Sequence, residues 1–166
     1  MVDKKAGDIK ILILDVDGVM TDGRINVNDQ GEESKTFNVK DGYGIRLLLD
    51  AGIDVAIITG RHSKSVEHRA RDLGIKMVYQ GVADKRSVCM KLLEERQFTS
   101  DQACFIGDDI PDIPLLKSVG LPVAVADAVK EVREIARYIT EENGGNGAVR
   151  EVCELILKAQ SAWPKI

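Results

Sequence analysis

Apolar positions along the chain follow two alternating patterns. Short apolar runs recur at 9–14, 53–58, 103–106 and 122–125, too short for helices and dominated early on by isoleucine, leucine and valine. Such runs fit strands buried on both faces of a parallel sheet. Shorter strands are expected at 76–79 and 137–139. Between the runs, apolar residues return at helical spacing: Val66, Ala70 and Leu73, then Val88, Cys89 and Leu92 within 84–96. The same spacing carries Val129, Val132 and Ala136 behind Asp127, taken as a cap, and Val149, Val152, Cys153 and Ile156 behind a glycine loop at 144–147. Asp41-Gly-Tyr-Gly44 breaks the pattern before a short helix with Ile45, Leu48 and Leu49. Strands alternating with helices predict one α/β domain over 1–166, with a mostly parallel sheet and right-handed crossovers.

One segment stands outside the alternation. Residues 24–39 read as a β-hairpin within about 23–40: Ile25 and Val27 alternate with polar residues, 28–31 turn, and Phe37 and Val39 alternate again. Two strands alone are marginally stable in water, so a cover such as another subunit is expected.

Composition narrows the partners. The 166 residues carry a formal charge of −4, which argues against nucleic acid or an anionic membrane as the main partner. No apolar run approaches the ~20 residues that span a bilayer. The N-terminus runs directly toward the first strand without a visible signal peptide. Cys89, Cys104 and Cys153 are widely spaced in apolar-periodic segments, as reduced buried thiols of a cytoplasmic protein would be.

Reactive residues collect at expected strand ends. Asp15 and Asp17 close the first strand, one residue apart; Thr59 follows the second; Asp108 and Asp109 follow 103–106. Like charges so close call for a cation, and magnesium is a hard ion that takes oxygen ligands. Lys85 sits behind Asp84, an apparent N-cap, in a first helical turn where a cation opposes the helix dipole. An anion or carboxylate partner explains it there. In open α/β sheets ligands bind beyond the carboxyl ends of the strands, so the sheet brings all these groups to one edge. The set suits phosphoryl transfer: Asp15 as nucleophile, Asp17 as acid and base, Asp108 completing a magnesium site, and Thr59 and Lys85 among the groups that neutralise phosphoryl oxygens.

Asp15-Val-Asp17-Gly18, Ile57-Ile-Thr59-Gly60, Lys85 and Gly107-Asp108-Asp109-x-x-Asp112 resemble the four motifs of the haloacid dehalogenase superfamily, in the same order. The resemblance implies a Rossmann-like fold with helices on both faces, no separate cap domain, and an aspartyl-phosphate mechanism. It also implies Mg2+ held by Asp15, the Asp17 backbone carbonyl and Asp108, with Asp109 and Asp112 supporting the metal from behind. Thr59 and Lys85 would bind phosphate, with Lys85 also steadying Asp15.

Phe37-Asn-Val-Lys-Asp-Gly-Tyr-Gly-Ile-Arg46, Thr59-Gly-Arg61 and Gly147-Ala-Val-Arg-Glu-Val-Cys153 are further similar to the 3-deoxy-D-manno-octulosonate 8-phosphate phosphatases. That family implies a sugar acid phosphate as substrate, lipopolysaccharide precursor synthesis as setting, and a homotetramer in which hairpins help enclose neighbouring active sites. Its substrate contacts fall here on Asp17, Asn38, Val39, Lys40, Asp41, Gly42, Arg46, Gly60, Arg61, Arg69 and Lys85. Lys40 departs from the family's more usual arginine, keeping the charge but losing bidentate geometry. The tail at about 160–166 would, by the same resemblance, fold over a neighbouring site or stay disordered.

Three rivals share parts of this pattern. A nine-carbon sialic acid 9-phosphate phosphatase would carry an acid in place of Arg61. A signalling receiver domain puts its acid pair on the first strand and has no place for the hairpin. A tetramerisation module with a relic site would not need Asp15, Asp17, Thr59, Lys85 and Asp108 together.

Overall fold

The structure, a computed structural model, describes residues 2–164. A short helix α1 (Val2–Gly7) precedes strand β1 (Ile11–Leu14), and a hairpin of β2 (Asn26–Val27) and β3 (Glu33–Ser34) follows it. Then come α2 (Val39–Asp50), β4 (Asp54–Ile58), α3 (Lys64–Leu73), β5 (Met77–Tyr79) and α4 (Lys85–Arg96). The chain ends through β6 (Ala103–Gly107), α5 (Ile113–Leu116), β7 (Leu121–Ala124), α6 (Lys130–Ile135), β8 (Tyr138–Ile139) and α7 (Ala148–Ala159).

Six strands form one sheet in the order β5-β4-β1-β6-β7-β8, and every neighbouring pair is parallel. The sheet grows outward in both directions from β1 and β6, so right-handed crossovers place helices on both faces. That is the doubly wound, Rossmann-like arrangement. Every residue of β1, β6 and β7 is buried, which explains their unbroken apolar character. Phe105 and the leucines and isoleucines of β1 centre the core. On one side α2, α7 and α1 pack together; elsewhere α4 packs on α5. The three cysteines are buried free thiols.

Several expectations need correction. The residues before β1 do not run straight into it but form α1, anchored where Gln160 Nε2 donates to the carbonyls of Ala6 and Ile9. The hairpin is shorter than 24–39, because Val39 begins a helix. Asn38 caps that helix, its side chain accepting from the N–H groups of Lys40 and Asp41. The Asp41–Gly44 stretch therefore lies inside α2 rather than before it. Gly42 and Gly44 serve close approach: a Cβ on Gly42 would lie 3.0 Å from Leu73 Cδ2, and one on Gly44 3.1 Å from Cys153 Cβ. Asp127 does not cap α6, whose N-terminus has no side-chain cap; Asp127 Oδ1 instead accepts from Gly144 N at 2.9 Å. Of the expected tail, Gln160 ends α7 and Trp163 is half-buried, stacked with Arg150 at 5.0 Å, which also lies over Tyr43. Residues 165–166 of that tail lie outside the described residues.

Candidate active site

In a doubly wound sheet the chain leaves β1 and its neighbour β6 toward opposite sides, opening a crevice at their carboxyl ends. Asp15 follows β1 and Asp108 follows β6; the strands pair in register, Leu14 beside Ile106. A cleft of about 330 Å³ lies there, lined by Asp15, Asp17, Thr59, Arg61, Lys85 and Asp108 among others. Five residues expected from the motifs thus meet in one place: Asp15, Asp17, Thr59, Lys85 and Asp108.

Local backbone shapes hold them there. After Asp15 the chain coils tightly, with the N–H groups of Val19, Met20 and Thr21 all donating to Val16 O. Thr21 Oγ1, buried beneath the coil, accepts from Gly18 N and Gly23 N. Gly18 sits at φ +87°, and a Cβ there would lie 2.5 Å from Asp108 Cγ. The Asp108 carboxylate is therefore laid directly on this glycine. Behind the coil, Gly145 N donates to Val19 O, and a Cβ on Gly144 would lie 2.6 Å from the Gly18 carbonyl carbon. The glycine loop before α7 thus braces the coil from below.

The charges are arranged around Lys85. Its ammonium lies 2.9 Å from Asp15 Oδ2 and 2.7 Å from Asp112 Oδ1, and all three side chains are nearly covered. Burial pulls the Lys85 pKa down, and the two carboxylates outweigh it, leaving it above its ordinary value. Asp112 Oδ2 accepts from the N–H groups of Asp108 and Asp109, so this buried carboxylate fixes both the lysine and the Asp108 turn. Asp109 is exposed and caps the following turn by accepting from Ile110 N. One lysine does not balance the acids. Burial, with Asp112 next, holds Asp15 up at about 6; burial, then Asp15, Asp112 and Asp109, pushes Asp108 up to about 8.

Ligand oxygens of Asp15, Asp108 and Asp112 lie within 4.8 Å of one another. An all-oxygen set with excess negative charge fits a hard divalent cation such as magnesium. Asp112 is already committed to Lys85 and two N–H groups, which leaves Asp15 and Asp108 as the side chains that would hold the ion. Thr59, 2% exposed, stands at the end of β4, its N–H donating to Tyr79 O and its carbonyl accepting from Val82 N. Gly60 beside it also lines the cleft. Buried acids, a lysine, a hydroxyl and a glycine backbone around one cleft can attack, bind and neutralise a phosphoryl group.

The remaining expected contacts lie elsewhere on the same chain. Arg46 and Arg69 line a separate groove with Val39, Gly42 and Asp72, where Arg46 Nη1 donates to Asp72 O and Arg69 Nη2 to Asn38 O. Lys40 is exposed beside Glu141 and Arg150. Asp41 is buried, accepting from Arg150 N at 2.9 Å at the start of α7. Arg61 reaches the cleft mouth but is paired with Glu33 and lies 3.8 Å from Asp17 Oδ2. Lys35 was not singled out among the candidates, yet its ammonium lies 2.5 Å from Asp17 Oδ1 and 2.8 Å from Glu33 Oε1. Lys35 follows directly on β3, two residues after Glu33, and that spacing is the one signal in the chain that pointed to the pair.

A family model described as haloacid dehalogenase-like hydrolase matches residues 77–152. The chain is 54% identical over 157 residues to 3-deoxy-D-manno-octulosonate 8-phosphate phosphatase of Yersinia pestis, covering 95% of this chain and 84% of that one. It belongs to the 3-deoxy-D-manno-octulosonate 8-phosphate phosphatase family. The crystal structure of the Yersinia pestis phosphatase superposes with a TM-score of 0.96 at 53% identity, covering 97% of this chain and 87% of that chain. A structure of the Moraxella catarrhalis phosphatase, in complex with magnesium ion, phosphate ion and KDO, superposes with a TM-score of 0.95 at 44% identity, covering 96% of this chain and 92% of that chain. The fold is therefore the haloacid dehalogenase-like fold, and beyond the six-stranded sheet with its helices and the two-stranded hairpin there is no separate cap domain among the described residues.

Proposed function

We propose that this protein is a magnesium-dependent phosphatase that hydrolyses 3-deoxy-D-manno-octulosonate 8-phosphate to the free sugar acid and inorganic phosphate. The observation that carries the reading is the meeting of Asp15, Asp108 and Lys85 at the switch point of the sheet, in a chain 54% identical to a phosphatase of that name. An Asp15 carboxylate oxygen attacks phosphorus, forming an acyl phosphate as the P–O ester bond breaks. Asp17 gives its proton to the departing sugar oxygen, then takes one from the water that attacks the acyl phosphate. That second attack releases inorganic phosphate and restores Asp15. Lys85, Thr59 and the Gly60 backbone hold the phosphoryl oxygens throughout, and bound magnesium supplies the further positive charge they need.

Arg61 at the mouth suits the carboxylate of a sugar acid, through planar, bidentate pairing. Asn38, Val39, Lys40, Asp41, Gly42, Arg46 and Arg69 are too dispersed on one chain to share this cleft. The reading assigns their face to a neighbouring subunit's cleft in a homotetramer. Exposed Ile25 and Val27 on the hairpin and Val39 and Tyr43 on α2 support it, since water-facing apolar groups there are natural subunit contacts. The reading sets the protein in the cytoplasm, in lipopolysaccharide precursor synthesis, as the family resemblance implies; among the described residues no helix is long and apolar enough to cross a membrane.

The test is phosphate release with magnesium from the octulosonate 8-phosphate, a nine-carbon sialic acid 9-phosphate, a hexose 6-phosphate and an aryl phosphate. The octulosonate is expected to have the highest kcat/KM, and Asp15→Asn to abolish turnover. Preference for the nine-carbon acid overturns the substrate. Absence of release from all four overturns the enzyme.

A further inference from the structure

We propose that Lys35, carried against Asp17 by the hairpin, is a positioning residue that decides which oxygen of Asp17 bears the proton during catalysis. The proposal rests on the reading of Asp17 as acid and base given above. Four charged groups form a ring at the cleft mouth: Asp17, Lys35, Glu33 and Arg61. The Lys35 side chain is only 2% exposed, although it leaves a hairpin whose own residues are mostly open to water. Covering a lysine to that degree costs free energy unless its ammonium is paired, and here two carboxylates take it. Its ammonium is paired with both, 2.5 Å from Asp17 Oδ1 and 2.8 Å from Glu33 Oε1.

The two oxygens of Asp17 are not equivalent. Oδ1 accepts a hydrogen bond from Lys35 Nζ at 2.5 Å, whereas Oδ2 lies 3.8 Å from Arg61 Nε, beyond hydrogen-bond reach. An ammonium has only donors, so an oxygen facing it accepts and cannot itself present a proton. When Asp17 is a carboxylic acid, its proton must sit on Oδ2. Asp17 lines the cleft while Lys35 does not. Lys35 therefore approaches the carboxyl from the hairpin side. Glu33 pairs with both Lys35 and Arg61, so the placement of the hairpin and the orientation of the acid are tied together.

The leaving group supplies the test. An alkyl phosphate needs a proton on its departing oxygen, whereas a p-nitrophenyl phosphate departs as a weakly basic phenolate and does not. kcat/KM reports steps up to release of that leaving group, before water attacks the acyl phosphate. Lys35→Met is therefore expected to lower kcat/KM at least tenfold for both the sugar acid phosphate and hexose 6-phosphate. The value for p-nitrophenyl phosphate should change less than threefold, and Lys35→Arg should recover most of the loss. Equal losses on all three substrates, as a structural role produces, would overturn the proposal. So would a loss confined to the sugar acid, which would make Lys35 a carboxylate-binding residue, or no loss at all. Wild-type turnover of the alkyl substrates in the same assay keeps the underlying reading separate: if it is absent, that reading fails, whereas the Lys35 comparison is drawn only on an active enzyme.

Discussion

Gly18 is the position where a single added methyl group separates catalysis from folding. Its φ of +87° is left-handed, and a Cβ there would lie 2.5 Å from Asp108 Cγ and 3.2 Å from Asp108 Oδ1. Asp108 Oδ2 would be closer still, and ordinary contact begins at 3.4 Å, so the carboxylate must retreat by about 1–1.5 Å in Gly18→Ala. Asp108 cannot retreat freely, because its own N–H is held by Asp112 Oδ2 at 2.9 Å. The left-handed conformation costs an alanine about 1–2 kcal/mol, which for a chain of this size corresponds to a drop in Tm of roughly 2–8 °C. Displacing one of the two carboxylates that would hold the metal is worth far more in rate, since a misplacement of about 1 Å can cost ~100-fold. Gly18→Ala should therefore fold with a slightly lowered Tm, lose at least about 100-fold in kcat/KM, and need more magnesium for half-maximal activity. Thermal melts and magnesium-dependent phosphate release measure both. Activity within threefold of wild type would show that Asp108 does not need its seat on Gly18, and the argument would fail.

Two predictions concern pH. Burial holds Asp41 up at about 6 against an ordinary 3.8, offset in part by the N–H groups of Arg150 and Gly147, and its Oδ2 has no hydrogen-bond partner. The folded chain thus holds this proton more tightly than the unfolded one, so the contribution to stability is complete below 3.8 and is lost as pH rises through about 6. The gap corresponds to on the order of 3 kcal/mol. Asp41→Asn should flatten that fall in urea titrations between pH 4 and 7 and be at least as stable as wild type at pH 7.5; a less stable variant with an unchanged slope would contradict the assignment. Magnesium must displace any proton on Asp108, held up at about 8 by burial and three neighbouring acids. Its gain in Tm should accordingly be larger at pH 8.5 than at pH 6.5, and an equal gain at both would argue against Asp108 as a ligand.

Much of this molecule was legible in the chain because its signals are local. The apolar run before Asp15 is short and rich in β-branched residues, as a doubly buried strand is, and the acids behind β1 and β6 follow from strand ends. Thr59 was read in the same way and Lys85 from its place in a first helical turn behind Asp84, and their motifs pointed to the family. The alternation of strands and helices identified an α/β domain but not the strand order. That order puts β1 beside β6, and it is what brings Asp15 within reach of Asp108 across nearly a hundred residues. Glycine misled the reading where its reason was long-range: Gly42 and Gly44 resembled a break, yet they sit inside α2 because Arg69, Leu73 and α7 press against them. Asp127 looked like a cap from its neighbours alone, and it holds the distant Gly144 instead.

Lys35 marks the boundary most clearly. The sequence by itself put it within the expected hairpin at 24–39, two residues after Glu33, and said nothing of what it touches. Only tertiary structure decided that the hairpin turns it back onto Asp17, because the direction of a two-stranded hairpin depends on packing and pairing with partners far away in the chain. The chemistry-bearing residues were written into strand ends and a helix start; which of them touch was decided by how the sheet was assembled and where the hairpin came to rest.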